Sequence, residues 1–309
     1  MNKDNIDHNP DDASNENIDT SKSGAPAGGE AVRDIFSSDE IFKRVVATAD
    51  EEIDRSNRQL FVSSIAAGLS IGLSFFARAT ISAQLGEDTS ALVGNILYPI
   101  GFILIVIGRY QLFTENTLTP VTLVLTRICS IPALLRVWGV SLIANLIGAG
   151  CFAYLLANTG ILETAAVEQA MDFGKHALDI KPFSALFWKS VLAGFIVASM
   201  VWLVHAVREA TARLLIVFAL MFLIPSGDLF HCIVGACEVL FVYFNDMTSF
   251  LACLRFFSTV VLGNVIGGVV LVAFLNFSQV QDESKKQNRS KLGGRQWLFG
   301  YHKHSEFLE

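Results

Sequence analysis

The chain has 309 residues, of which 52% are hydrophobic and 17% charged, with Phe the dominant aromatic. Its formal charge of -6 is concentrated in residues 1–58, which carry 14 acidic and 7 basic side chains, so the remainder is near neutral. Long apolar blocks point to an integral membrane protein, and the clustered Lys and Arg that a nucleic-acid surface requires are not found, which excludes that class of partner.

Residues 1–37 are rich in Asn, Asp, Ser and Gly and read as a disordered acidic arm. They lack the apolar centre of a signal peptide, so the N-terminus is expected in the cytoplasm. Over 38–58, Asp39 and Glu40 stand where a helix start favours acids. Phe42, Val45, Val46, Ala49 and Ile53 follow at helical spacing, predicting an amphipathic helix along the cytoplasmic face.

The membrane-spanning part is expected over 59–277, where six apolar stretches near 60–83, 91–108, 137–157, 184–206, 214–244 and 254–277 are candidate crossings. A crossing needs about 20 mainly apolar residues, and an even number of them puts both ends on one side. Arg127, Arg136, Arg208 and Arg213 flank the connections on that side. The connection 84–90 has no basic residue, and 158–183 has Lys175 and Lys181 against four acids. The positive-inside rule therefore predicts cytoplasmic termini, and residues 278–309 read as a basic cytoplasmic tail with Lys285, Lys286, Arg289, Lys291 and Arg295.

The second and fifth stretches are interrupted. Arg109 to Thr117 separates one apolar bilayer-length piece from a short one containing Pro120, and Ser226-Gly227-Asp228 separates Leu214–Pro225 from the run that His231 opens. The tripeptide Leu112-Phe113-Thr114 returns as Leu229-Phe230-His231 about 117 residues later, and Asn145-Leu146-Ile147-Gly148 returns as Asn264-Val265-Ile266-Gly267 about 119 later. Interrupted hydrophobic segments at matching places in two halves mark a transport site, because unwound backbone persists at membrane depth only where protein or a water-filled cavity satisfies it. Half-helix N-termini in such a break suit a small anion.

These residues resemble the formate/nitrite transporter family. Tyr98-Pro99-Ile100-Gly101-Phe102 followed by Leu112-Phe113-Thr114 is similar to that family's second helix and omega-loop, Ser226-Gly227 with His231 to its fifth-helix break, and Asn264 to Gly268 to its sixth helix. The resemblance implies an all-α membrane fold of six helices in an aquaporin-like inverted 3+3 repeat with broken second and fifth helices. It also implies a homo-pentamer in the bacterial inner membrane, in contact with lipid, and a small monovalent anion such as formate or nitrite as substrate. Thr114 and His231 would face each other at mid-membrane, His231 giving a proton to the anion. Leu112 and Phe113 would form one constriction, with Phe222 or Leu223 in the other, and Lys181 would stand at the vestibule. Phe230, Gly235 and Gly194 replace family residues, and Arg109, Glu115 and Glu238 add charge, which looks more like the YfdC-type branch.

Glu238 lies seven residues after His231, on the same helical face, either as a pore carboxylate or as half of a buried pair with Arg109 or Arg255. Arg109 and Glu115 are expected to clamp the loop they flank. No cofactor or metal is implied: the five cysteines lack a zinc or disulfide pattern, and Gly-x-Ser-x-Gly and His-Glu-x-x-His do not occur, so an enzyme is not expected. Two other readings remain: a facilitator for neutral small solutes or weak acids, and a regulatory membrane protein of the same fold.

Overall fold

The computed structural model describes residues 36–85, 90–284 and 291–300. The acidic arm expected over 1–37 lies almost wholly outside these residues, as do Lys285, Lys286 and Arg289 of the basic tail. The described chain is helical. Helix α1, Ser38–Asp54, starts from a capping box in which Ser37 and Glu40 satisfy each other's backbone N–H groups. That box holds the Glu40 carboxyl below its ordinary range. Ile41, Phe42, Val45, Val46, Ala49 and Ile53 form its buried stripe.

Among the described residues four helices are long and apolar enough to cross a membrane: α2 (Asn57–Leu85), the helices at Ile131–Asn158 and Phe183–Ala206, and the continuous stretch Phe250–Val280. Between α2 and Ile131 the chain forms α3 (Ser90–Asn95), α4 (Ile100–Gly108), a short 3-10 turn at Glu115–Thr117 and α5 (Thr119–Leu125). Then follow α6 (Ile131–Asn158), α7 (Thr164–Asp179), α8 (Phe183–Ala206), α9 (Ala210–Ser226), α10 (Cys232–Phe244) and α11 (Phe250–Ile266). The last continues through a wider-wound turn, Gly267–Phe274, into α12 (Leu275–Ser284), and α13 (Gly294–Phe299) closes the described chain.

The second half repeats the local stereochemistry of the first at a constant spacing of 119 residues. Among the described residues four non-glycine residues adopt the left-handed conformation, as the pairs Arg109/Asp228 and Arg127/Asp246. Each ends a helical segment in the same way, with bonds from Tyr110 N–H to Ile105 O and from Leu229 N–H to Ile224 O, from Ile128 N–H to Leu123 O and from Met247 N–H to Val242 O. The helix starts match too: Ser130 accepts from Ala133 N–H and Ser249 from Ala252 N–H.

Helix α2 packs on α6 and α8 on α11, and glycine permits both approaches. A Cβ at Gly68 would lie 2.3 Å from the Asn145 carbonyl oxygen, and one at Gly194 would lie 2.2 Å from that of Asn264. Gly194 is therefore a packing position and not the place of a pore-lining Asn. The span 158–183, read from sequence as a loop, holds α7, whose Ala166, Ala170, Met171, Gly174 and Ala177 are buried at helical spacing. It lies against α10 and α2. Trp297 of α13 donates its indole N–H to Val124 O, tying the tail to the end of α5.

Candidate functional site

The two helix breaks are held by two asparagines. Asn145, fully buried on α6, accepts the Phe113 N–H at 2.8 Å and donates to Ser64 O at 2.7 Å and Gln111 O at 2.9 Å. Asn264, fully buried on α11, accepts the Cys232 N–H at 2.8 Å and donates to Ser190 O at 2.8 Å and Phe230 O at 3.0 Å. Each amide thus replaces the intrahelical partners that an unwound segment loses, which at membrane depth water cannot do.

This scaffold brings Thr114 and His231 together. Thr114 Oγ1 lies 2.7 Å from His231 Nε2, and each residue is 1% exposed. His231 caps α10, its Nδ1 accepting the Val234 N–H at 3.3 Å. A ring nitrogen that accepts a backbone N–H carries no proton, so Nε2 bears the hydrogen and donates it to Thr114, and the ring is neutral. The Phe102 ring meets the imidazole edge-on at a centroid distance of 5.0 Å, and Tyr98 stacks on Phe102 at 5.7 Å.

The register of the repeat places this pair differently from the tripeptide echo. At the spacing of the asparagine bonds, Phe113 corresponds to Cys232 and Leu112 to His231, so Thr114 and His231 are neighbours across the site without being equivalent by repeat. After that point the halves diverge: α10 starts at once, while the first half runs through the 3-10 turn before α5.

His231 lines one cavity, and chain neighbours of Thr114 line another. The smaller, about 30 Å³, is lined by His231, Gly235, Glu238, Arg78, Tyr98, Phe173 and His176 among others. The larger, about 560 Å³, lies against α1 and is lined by Gln111 and Glu115, which flank Thr114 in the chain, with Glu51, Glu52, Arg44, Arg109, His205, Arg208 and Arg213. Thr119 donates to Glu52 across the base of this cavity at 2.5 Å. Burial pushes the Glu52 carboxyl up to about 7, the hydrogen bond from Thr119 opposing it.

The other sequence-selected residues divide. Leu112 and Phe113 are buried beside Thr114, Phe113 packing edge-on against Trp138 at 5.9 Å. Phe222 and Leu223 line neither cavity, because α9 runs on to Ser226 and the break comes later. Leu223 is 48% exposed and Phe222 stacks on Phe218. In the smaller cavity their expected place is taken by Pro225, Leu229 and Phe230.

Arg109 and Glu115 do not clamp the loop. The left-handed turn at Arg109 sends its side chain to Glu51 of α1 at 2.6 Å, while Glu115 stays in the large cavity. Glu238 pairs with neither Arg109 nor Arg255; Arg78 of α2 reaches it at 3.1 Å. Lys181 is exposed and outside the cavity lining. Lys189 reaches the rim instead, pairing with the Asp228 carboxylate. That carboxylate also accepts His176 Nε2 at 2.8 Å.

Sequence reasoning missed Arg78, Asn95, Phe173 and His176. Arg78, alone in the apolar run of α2, was the one available signal, since an ionisable group there needs a partner. Among the described residues no cluster of three or more His, Cys, Asp or Glu side chains is arranged to hold a metal.

Comparison with known proteins gives this geometry a family. Residues 39–278 match the family model described as formate/nitrite transporter. Inner membrane protein YfdC of Escherichia coli (strain K12) is 30% identical over 260 residues, which cover 83% of this chain and 82% of that protein. Two solved structures share the fold at 21% identity. One is an FNT family ion channel, with a TM-score of 0.70 over 78% of this chain and 99% of that one. The other is a pentameric formate channel with formate bound, with a TM-score of 0.61 over 73% and 98%. The chain belongs to the formate/nitrite transporter family, a family of membrane channels and transporters rather than enzymes.

Proposed function

We propose that this chain is one protomer of a pentameric inner-membrane channel that passes small monovalent anions of the formate and nitrite type past Thr114 and His231. The observation that carries the reading is the 2.7 Å contact between Thr114 Oγ1 and His231 Nε2, buried in an otherwise apolar helical body, with His231 lining a small cavity that Arg78 and Glu238 also line. The supporting likenesses are the family itself and two similar proteins, an inner membrane protein and a pentameric formate channel.

In the finer reading, α2, α3–α4, α6, α8, α9–α10 and α11 make six crossings arranged as an aquaporin-like inverted 3+3 repeat. The 119-residue correspondence of caps and asparagine bonds supports this reading. Both termini face the cytoplasm, with α1 as a cytoplasmic helix before the channel domain, 59–277, and the tail, 278–309, after it. Exposed Leu92, Ile107, Leu135, Ile143, Leu215 and Leu262 are available to lipid or to neighbouring protomers.

Magnitude decides what His231 does. Moving a bare carboxylate-sized ion into a low-dielectric constriction costs on the order of 20 kcal/mol in the idealised limit, whereas a charge-assisted hydrogen bond contributes about 1.5–3. Hydrogen bonding alone does not carry the ion; neutralising it does. His231 takes a proton at Nδ1 as the Val234 bond opens and gives its Nε2 proton to the anion; the neutral ring then carries its hydrogen on Nδ1, and transfer of that hydrogen back to Nε2 re-forms the Val234 bond while the uncharged acid moves on.

Purified protein in liposomes tests this. His231→Asn and Thr114→Val should each lower formate uptake at least about tenfold, the factor for 1.4 kcal/mol, without disrupting assembly. Unchanged uptake in correctly assembled His231→Asn would overturn the mechanism. Glycerol flux exceeding formate flux in the unmodified protein would favour the neutral-solute facilitator.

A further inference from the structure

The charged cluster outside His231 has no role in the scheme above. Arg78 of α2 donates Nε–H to Asn95 Oδ1 at 3.0 Å, and its guanidinium lies over the Phe173 ring at 3.8 Å. Asn95 is itself fixed by a bond to Ser226 Oγ at 3.4 Å. Arg78 therefore keeps its place whether or not Glu238 holds it. Glu238 accepts from Nη1 at 3.1 Å through Oε1, a single-point contact rather than the bidentate fork a guanidinium can make. The contact opens on the same small cavity that His231 lines, whose volume suffices for one water or a very small ion.

A structural clamp accounts poorly for this arrangement. Removing two charges from water is expensive, and well-packed apolar residues commonly hold helices together at least as well. An ionisable pair in an apolar body, beside the residue that handles the solute, is better explained by exchange of partners.

Glu238 faces Arg78 from α2, Tyr98 from the turn before α4, His176 from α7, and Asp228 and His231 at the break. Of the remaining elements packed on α10, α6 brings Tyr154 against Phe244 and α11 brings Cys253 to the Val239 carbonyl, both away from Glu238. Arg255 of α11 is exposed. Asp228 is occupied by Lys189 and His176, so Arg78 is the group whose partner an entering anion can replace.

We propose that Arg78 and Glu238 form the docking and proton-loading element of this channel. Protonation of Glu238 frees one arm of the Arg78 guanidinium for a planar monovalent oxyanion, so that one proton and one anion enter together. The carboxylate takes a proton from the α7-side medium and loses its attraction for Arg78. The anion then docks on the guanidinium, with the bidentate fit that a planar O–C–O or O–N–O group offers and a single-atom anion lacks. The Glu238 proton passes through the cavity to His231, which neutralises the anion. Glu238, a carboxylate again, re-pairs with Arg78 as the neutral acid leaves. One proton and one anion are transferred, with no net charge moved.

The inference rests on the proposed passage of small oxyanions, and the test separates the two. Uptake of formate and of hydrosulfide is measured in liposomes containing the full-length protein across a series of external pH values. The unmodified protein should show a formate KM that falls as pH is lowered. Glu238→Gln, which mimics the protonated acid and can still accept from Arg78, should abolish that dependence and leave the KM low throughout. Arg78→Lys keeps the charge but loses the fork, and should raise the formate KM about tenfold while raising that of hydrosulfide by much less. A pair that merely holds helices would change kcat or assembly equally for both solutes and leave the pH profile intact. If Glu238→Gln retains the pH profile of the unmodified protein, or Arg78→Lys affects both solutes alike, the inference fails alone. If the unmodified protein passes neither solute, the transport reading fails and this one with it.

Discussion

Replacing Asn264 with Ala isolates the device that holds the second helix break. The side chain makes three hydrogen bonds, to Cys232 N–H, Phe230 O and Ser190 O. Ser190 lies inside α8, so its carbonyl keeps an intrahelical partner. Among the described residues the Cys232 N–H and the Phe230 carbonyl have no other backbone partner, and both residues are buried. At about 0.6 kcal/mol per bond, the average from membrane double-mutant cycles, three lost bonds cost about 2 kcal/mol. Counted instead as two orphaned buried backbone groups at about 1–3 kcal/mol each, the cost is about 2–6 kcal/mol. The upper part of that range applies here, because an unwound segment has no helical alternative.

The assay is thermal unfolding of the detergent-solubilised oligomer, followed by loss of the assembled peak on size-exclusion chromatography, with formate uptake measured in parallel. Asn264→Ala should lower the midpoint by at least about 5 °C and should lower uptake, since His231 loses the position of its preceding backbone. Asn264→Asp should be no better: it keeps an acceptor for Cys232 but sets a carboxylate oxygen against two carbonyls. Asn145→Ala should behave alike through Phe113 and Gln111. A midpoint and an uptake rate indistinguishable from the unmodified protein would refute the argument that these amides sustain the breaks.

Gly194→Ala and Gly68→Ala should both destabilise the protein, because a Cβ there would meet a backbone carbonyl at 2.2–2.3 Å. Gly139→Ala, with nothing within 4 Å of the added carbon, should be neutral or gain up to about 1 kcal/mol of helix stability; the same midpoint assay distinguishes them. A pH dependence is expected at α1. Burial raises the Glu52 carboxyl from an ordinary value of 4.5 to about 7. Between those values the docked state binds the extra proton, so docking of α1 is strongest below about 4.5, weakens as pH rises towards about 7, and levels off above. Hydrogen exchange of the α1 amides across this window should show protection falling with pH, and Glu52→Gln should remove the trend.

Much of the architecture was legible because hydrocarbon restricts what a chain can do. Apolar length marks the helices long enough to cross a membrane, and the interruptions at Arg109 to Thr117 and Ser226 to His231 mark where the backbone leaves its helix. The repeated Asn-x-Ile-Gly segments carry the two amides that hold those interruptions, although sequence alone gave them no role. The Leu-Phe-Thr and Leu-Phe-His echo marked the right region in the wrong register, since hydrogen bonds, not side-chain similarity, define equivalence between the halves.

Partner choice for charged groups was not legible. Arg78 and Glu238 are 160 residues apart, and they meet because α2 and α10 pack together, with α7 supplying Phe173 and His176 from what reads as a polar loop. Arg109 was within reach of Glu115 along the chain, yet a left-handed turn directed it to Glu51.

Sequence by itself determined the class of environment, the long apolar segments and the two points where the backbone must be rescued, because these follow from local composition and hydrogen-bonding necessity. Tertiary structure alone decided which cation neutralises which carboxylate and how Thr114 comes within 2.7 Å of His231. Those outcomes depend on helices distant in sequence approaching closely, which glycine contacts and buried amides set in three dimensions and no local pattern encodes.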